Sequence, residues 1–343
     1  MTGTKLIRVA VVGATGYSGA ELVRLLARHP RVKLEVVTSE QAAGRALGDV
    51  HRTLGFLGLE LEGVDAEKIA PRVDFAFTAL PHGASTPVVS TLIDRGVRVI
   101  DVGADFRFHD LATYETWYGA HEAPELAAEA VYGLVEYARD EVAGARLVAN
   151  PGCYPTSALM SLLPLAGHLV GPVMVDSKSG TSGAGRAAKV DQLFAEVTEN
   201  IRPYSVGRHR HQPEIAEKLS LRAGERRPVV FTPQLLPIAR GILTTAYADV
   251  PANVDVGALL RERYANEPFV RLLEDGSMPE PRAVRGTNMV EIAWVREAET
   301  GRVVMVSAID NLGKGAAGQA VQNFNCMIGV PETTGLDLLP ALP

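Results

Sequence analysis

A short apolar run from Leu6 to Val12 ends at Gly13 and passes through Gly13-Ala14-Thr15-Gly16-Tyr17-Ser18-Gly19 into a segment with Leu22, Val23, Leu25 and Leu26 at helical spacing, stopped by Pro30. Strand, glycine turn and helix in direct succession leave few folds open. The N–H groups at a helix N-terminus have no partner inside the helix, so they can bind a pyrophosphate, and glycines at the first, fourth and seventh positions let the backbone approach it. A tight turn with no ligand has the same outline, but a strand before and a helix after favour dinucleotide binding. Gly13, Thr15, Gly16, Tyr17, Ser18 and Gly19 are the first candidate cofactor residues.

A second strand, Leu34 to Thr38, tests which dinucleotide. A site for NAD usually ends this strand with an acid that holds the ribose 2′-hydroxyl. Here it ends Val37-Thr38-Ser39, and hydroxyl donors suit a 2′-phosphate, so Ser39 points to NADP; Glu40, one residue further, is the feature that favours NAD.

Further strands at Val73 to Leu80 and Val97 to Val102, with a helix near Ala84 to Arg95 between them, predict a doubly wound α/β domain of Rossmann type, its parallel sheet covered on both faces. After Asn150 the texture changes. Val229 to Ile238, Ile242 to Val250, Val290 to Val295 and Arg302 to Ile309 alternate and read as antiparallel strands of an α+β mixed-sheet domain. The segment Asn311-Leu312-Gly313-Lys314-Gly315-Ala316-Ala317-Gly318 opens a C-terminal helix, about Gly315 to Ile328, that is expected to return to the first domain. The expected division is 1–150 with 312–343 for the dinucleotide domain and 151–311 for the substrate and oligomerisation domain.

The chain of 343 residues is long enough for two cores, and its 47% hydrophobic and 22% charged residues are those of a globular enzyme. A net charge of −6 supplies no positive field to gather nucleic acid or an anionic membrane. No apolar run reaches the ~18 residues of a membrane span, and Met1 to Leu6 carry none of the features of a signal peptide. Two cysteines far apart argue against a disulfide framework, so the cytoplasm is the expected compartment. No metal site is expected.

Of those cysteines, Cys153 stands in Asn150-Pro151-Gly152-Cys153-Tyr154-Pro155-Thr156, where a strand over Arg146 to Ala149 gives way to a helix from about Thr156. A cysteine at a helix N-terminus has its thiolate stabilised by the dipole and free N–H groups, which lowers its pKa and makes it nucleophilic. A small buried cysteine is the alternative, and Cys326, beside Phe324 and Ile328 in the C-terminal helix, is expected to be one. A nucleophilic thiol alongside a dinucleotide domain points to acyl transfer to sulfur followed by hydride reduction.

That chemistry needs an acid/base and anion donors. Gly207-Arg208-His209-Arg210-His211 supplies two imidazoles and the guanidiniums of Arg208 and Arg210, unless it is only a basic loop at a helix start. The residues do not decide between His209 and His211. Ser179-Gly180-Thr181-Ser182-Gly183-Ala184-Gly185-Arg186 follows an apolar strand and is either an anion nest or a flexible turn.

Together these segments, with Ala79-Leu80-Pro81-His82-Gly83, resemble the N-acetyl-gamma-glutamyl-phosphate reductases of arginine biosynthesis, relatives of aspartate-semialdehyde dehydrogenase, in the same order along nearly the whole chain. The resemblance implies that Cys153 is the nucleophile, that His209 protonates the hemithioacetal oxygen and that His211 is a neighbouring substrate or phosphate contact. It puts Arg107, in Asp105-Phe106-Arg107, near the active site, and Asn150, Arg208 and Arg210 join it as expected substrate or phosphate residues. Asn311 is expected by the nicotinamide and Ser182 with Gly183 beside the cofactor and acyl pocket, with Pro81 a further cofactor residue. The implied reaction is NADPH-dependent reduction of N-acetyl-L-glutamyl 5-phosphate to the semialdehyde, by a homodimer or homotetramer associating through the second sheet. One departure is Ser157, where the family motif usually continues with Gly or Ala. The rival readings are a reductase of aspartyl phosphate or of carrier-linked aminoadipyl phosphate, and a catalytically idle NADPH sensor.

Overall fold

The computed structural model describes residues 5–274 and 276–340, so the first four residues of the expected first domain and its last three, 341–343, lie outside the described residues. The chain divides into two compact units. The first runs to Pro151 and resumes over Ala316–Asp337, and the second is built on Gly152–Gly315.

In the first unit, strands β1 (Ile7–Val12), β2 (Val32–Thr38), β3 (Leu61–Glu62), β4 (Phe75–Thr78), β5 (Arg98–Asp101), β6 (Val131–Tyr132) and β7 (Leu147–Ala149) form one sheet in the order β3-β2-β1-β4-β5-β7-β6. Every pairing is parallel. The run of strands reverses direction between β1 and β4, and in open α/β sheets a ligand binds outside the carboxyl ends of the strands at such a switch point. Side chains alternate between the faces. On β4, Phe75 and Phe77 meet Phe324 of the C-terminal helix, with ring centroids 5.0 and 5.6 Å apart, while Ala76 joins Val89, Leu92 and Ile93 of the Ser85–Asp94 helix. Helices therefore cover both faces, as the continuous apolar strands require.

The second unit adds β8 (Val170–Ser179), β9 (Arg202–Pro203), β10 (Val229–Leu235), β11 (Ile242–Asp249), β12 (Val270–Leu272), β13 (Val290–Arg296) and β14 (Val303–Ile309), ordered β12-β13-β14-β11-β8-β10-β9. β11 lies antiparallel to both β8 and β14, and β13 antiparallel to β14. The expectation that all four alternating segments are antiparallel needs one correction, because β10 runs parallel to β8. The helix His211–Ala223 joins those two strands as a crossover, and alternation in sequence reports one-sided burial rather than strand direction. The inner face carries Val173, Val175, Phe231, Ala246, Met305 and Ile309 against the Cys153–Leu162 helix, whose residues are all buried after the first.

That helix begins at Cys153 rather than near Thr156. Pro155 falls in its first turn, where a missing N–H costs no hydrogen bond. Ser157, the departure from the family motif, is buried with its hydroxyl 3.0 Å from that of Ser307, and Ser307 also donates to the Ser157 carbonyl at 2.8 Å. The polar substitution is thus matched by a polar partner on β14. Among the described residues no helix is long and apolar enough to cross a membrane.

Candidate active site

The glycine turn in the first unit divides its three glycines between two tasks. A Cβ on Gly13, whose φ is +92°, would lie 2.5 Å from the Ala79 carbonyl oxygen, and one on Gly19 would lie 2.1 Å from the Gly13 oxygen. These two permit close packing of the turn on β4 and on itself. Gly16 differs, since its Cβ would meet nothing nearer than the Gly13 oxygen at 3.8 Å. It stands as N-cap of the Tyr17–Leu26 helix without a side-chain cap, so the exposed backbone there can take an anion, and the turn fits a dinucleotide pyrophosphate.

At the end of β2, Thr38 accepts the Gly13 N–H through its hydroxyl at 3.2 Å, and the Ser39 hydroxyl lies 2.9 Å from that of Thr15. The neighbouring carboxylate, Glu40, accepts the Val64 N–H at 2.9 Å. The feature that favoured NAD is thereby engaged by the backbone.

In the second unit Cys153 is half-buried at the first position of its helix. The turn before it is pinned twice: the Gly152 N–H donates 2.9 Å to Oε1 of the fully buried Glu214, and the Gly152 carbonyl accepts from Thr156. The Gly313–Ala317 segment, wound as a π-turn, brings Gly315 so close that a Cβ there would be 2.9 Å from the Cys153 Cβ. Asp310 holds that segment. It accepts from Arg240 at 2.9 Å and from the N–H groups of Gly286, Leu312 and Gly313.

The histidines gather around Tyr154. The His209 ring lies 5.5 Å from Tyr154, 4.9 Å from His211 and 5.3 Å from Phe231. Burial, then the Arg210 charge, pushes His209 down to about 4, so the ring is neutral at pH 7. Its Nδ1 accepts the His211 N–H at 3.1 Å, which places its own proton on Nε2. The Tyr154 and Tyr204 hydroxyls are 2.8 Å apart, and burial first raises both above the usual tyrosine range.

The expected residues fall into place unevenly. Ser182, Gly183 and Asn311 do come together: the Asn311 amide donates 2.9 Å to the Ser182 hydroxyl, its oxygen accepts the Gly241 N–H, and Gly183 lies against Ser179. Arg208, Arg210 and Pro81 are exposed. Arg107 and Asn150 are buried in the first unit. Arg107 donates to the Asn150 and Val102 carbonyls, while the Asn150 amide is bonded to Ala316 and Asn323. Cys326, expected in the core, is half-buried, although its neighbour Phe324 is fully buried.

Sequence reasoning missed Glu214 and Tyr204. Glu214 stands three residues after His211, a helical spacing that could have flagged it; Tyr204 lies on an irregular stretch with no such signal.

The two units each match a family profile: semialdehyde dehydrogenase, NAD binding domain, over residues 8–145, and semialdehyde dehydrogenase, dimerisation domain, over 153–311. The fold agrees, since aspartate semialdehyde dehydrogenase II of Vibrio cholerae superposes with a TM-score of 0.73 at 18% identity, over 95% of this chain and 99% of that one. A thiol at a helix start in one unit and a dinucleotide turn in the other define a semialdehyde-dehydrogenase-type oxidoreductase.

Within that class the likeness is much nearer to one group. The N-acetyl-gamma-glutamyl-phosphate reductase of Citrifermentans bemidjiense is 52% identical over 98% of this chain and all of its own length, and that of Moorella thermoacetica 50% over 97% and 99%. The chain belongs to the N-acetyl-gamma-glutamyl-phosphate reductase family.

Proposed function

We propose that the chain reduces N-acetyl-L-glutamyl 5-phosphate to N-acetyl-L-glutamate 5-semialdehyde, releasing phosphate, through a thioester on Cys153, as a step of arginine biosynthesis. The observation that carries this reading is Cys153 at the N-terminus of a buried helix whose next residue, Tyr154, packs against a histidine with its proton fixed on Nε2, in a chain of this family.

The first unit is the NADP domain, with the Gly13–Gly19 turn on the pyrophosphate and Ser39 with Thr15 toward the 2′-phosphate. The second is the substrate domain. When bound, NADPH supplies the hydride that reduces the thioester carbonyl. The other work falls to the chain itself. The helix N-terminus stabilises the Cys153 thiolate, which attacks the acyl carbon; a C–S bond forms, the bond from carbon to the phosphate oxygen breaks, and phosphate leaves. Arg208 and Arg210 meet the leaving phosphate with exposed guanidiniums. His209, neutral and protonated on Nε2, donates a hydrogen bond through Nε2–H to the oxygen that gains charge as hydride adds to the thioester, and stabilises that oxyanion until it collapses to aldehyde and thiolate. His211 adjoins the acyl phosphate, Ser182 and Gly183 border the cofactor and acyl pocket, and Asn311, bonded to Ser182, meets the nicotinamide. Arg107 and Asn150, bonded to carbonyls and amides within the first unit, serve as supports.

The outer face of the second sheet carries exposed Val230, Tyr247 and Val295, and we infer that two copies associate there, in the cytoplasm.

Replacing Cys153 with Ala tests the mechanism. Turnover is expected to vanish with NADPH affinity unchanged, and mass spectrometry of the wild-type protein with substrate and no NADPH is expected to show an acyl adduct on Cys153; substantial turnover by the variant would remove the covalent route.

A further inference from the structure

The loops after β4 and β5 bring together a pair of residues that the reaction above does not use. His82 Nδ1 lies 2.5 Å from Asp105 Oδ1, and Asp105, almost wholly buried, also accepts the Gly83 N–H at 3.1 Å from each oxygen and the Thr86 hydroxyl at 3.2 Å. A carboxylate taken out of water is costly unless fully bonded. All of these bonds serve to fix one loop, and Gly83 takes a φ of +81° to fit it. The ring is walled by Tyr118, with centroids 4.5 Å apart, so its plane is set from two sides.

The consequence concerns the other ring nitrogen. A carboxylate only accepts, so the bond to Asp105 keeps an imidazole proton on Nδ1, and in that tautomer Nε2 is the acceptor. The side chain is 25% exposed, so this nitrogen belongs to a surface rather than to the core. That surface is defined by topology. His82 follows the carboxyl end of β4, the strand on the far side of the switch point from β1, and the same loop abuts the glycine turn through the Ala79 oxygen. A dinucleotide lies across such a crevice with its adenosine half toward β1 and β2 and its other half toward the strands beyond the switch point.

Resting on the NADP reading, we propose that His82, oriented by Asp105, is a cofactor-binding residue that accepts a hydrogen bond from a ribose hydroxyl of the nicotinamide half. An acceptor nitrogen suits a hydroxyl and repels phosphate oxygens, which the N–H groups of the glycine turn already serve.

The test separates the two halves of the cofactor. NADPH and adenosine 2′,5′-bisphosphate, which lacks the nicotinamide half, are titrated calorimetrically into the wild-type protein, His82→Ala and His82→Gln. The alanine variant is expected to bind NADPH about tenfold more weakly and the bisphosphate within about twofold of wild type, while glutamine, whose carbonyl oxygen still accepts, recovers most of the loss. Unchanged NADPH affinity in His82→Ala would overturn the proposal, and so would an equal loss for both ligands, because that would mark His82 as a support of the fold. If the wild-type protein binds the bisphosphate but not NADPH, the proposal fails alone; if it binds neither, the cofactor reading fails and takes the proposal with it.

Discussion

Lowering the pH from 7.5 to 4.5 charges a histidine in the unfolded chain that the fold keeps neutral. His209 sits at about 4, below its ordinary 6.5, because burial disfavours the imidazolium and Arg210 adds repulsion. The unfolded chain therefore takes up a proton as the pH drops through 6.5, whereas the folded chain does so only near 4. The stability tied to the neutral ring is complete above pH 6.5 and is lost progressively toward pH 4. A gap of roughly 2.5 units corresponds to about 3 kcal/mol at most, and about 2 kcal/mol is gone by pH 5. The assay is urea unfolding of the wild-type protein and His209→Gln at pH 7.5, 6 and 5. Of the two tryptophans, Trp117 lies in the first unit and Trp294 in the second with His209, so a Trp117→Phe background lets Trp294 report the relevant transition. The wild type is expected to lose about 2 kcal/mol more than the variant between pH 7.5 and 5. Equal losses would refute the reasoning, since the proton uptake would then belong to other groups and His209 would not be held neutral.

Two further predictions rest on single residues. Gly19→Ala puts a Cβ 2.1 Å from the Gly13 oxygen and is expected to cost roughly 2–4 kcal/mol, read as a fall in melting temperature. Gly16→Ala, with its nearest atom 3.8 Å away, is expected to melt within a degree or two of wild type yet bind NADPH at least tenfold more weakly, because its methyl enters the space of the pyrophosphate. Asp101, fully buried at the end of β5, is pushed up to about 6 by burial, so the folded chain keeps a proton that the unfolded chain releases above 3.8. Stability is therefore expected to fall by about 2 kcal/mol as the pH rises from 4 to 6, a slope that Asp101→Asn removes in parallel urea titrations.

The parts of the chain legible in sequence were those in which local chemistry dictates geometry. Gly13 and Gly19 are glycines because the backbone leaves no room for a side chain, and Cys153 sits among turn formers because it starts a helix. Alternation identified β10, β11, β13 and β14 as strands but not their directions, since burial of one face is the same whether a neighbour runs parallel or antiparallel. Long-range pairing was harder still. Glu214 reaches Gly152 across 62 positions and Tyr204 reaches Tyr154 across 50, and neither contact leaves a local pattern. Arg107 entered through the family resemblance of Asp105-Phe106-Arg107, and its bonds to the distant Asn150 carbonyl and to Val102 leave no local pattern either.

The central claim is tested most directly by running the reaction backwards. The purified protein is given NADP, inorganic phosphate and N-acetylglutamate 5-semialdehyde, with aspartate semialdehyde in parallel, and absorbance of the reduced nicotinamide is followed. Phosphate-dependent reduction of NADP with the acetylated aldehyde and little with the other is the predicted result. Reduction with aspartate semialdehyde alone would keep the thioester chemistry and contradict the substrate, and no reduction with either would contradict the account.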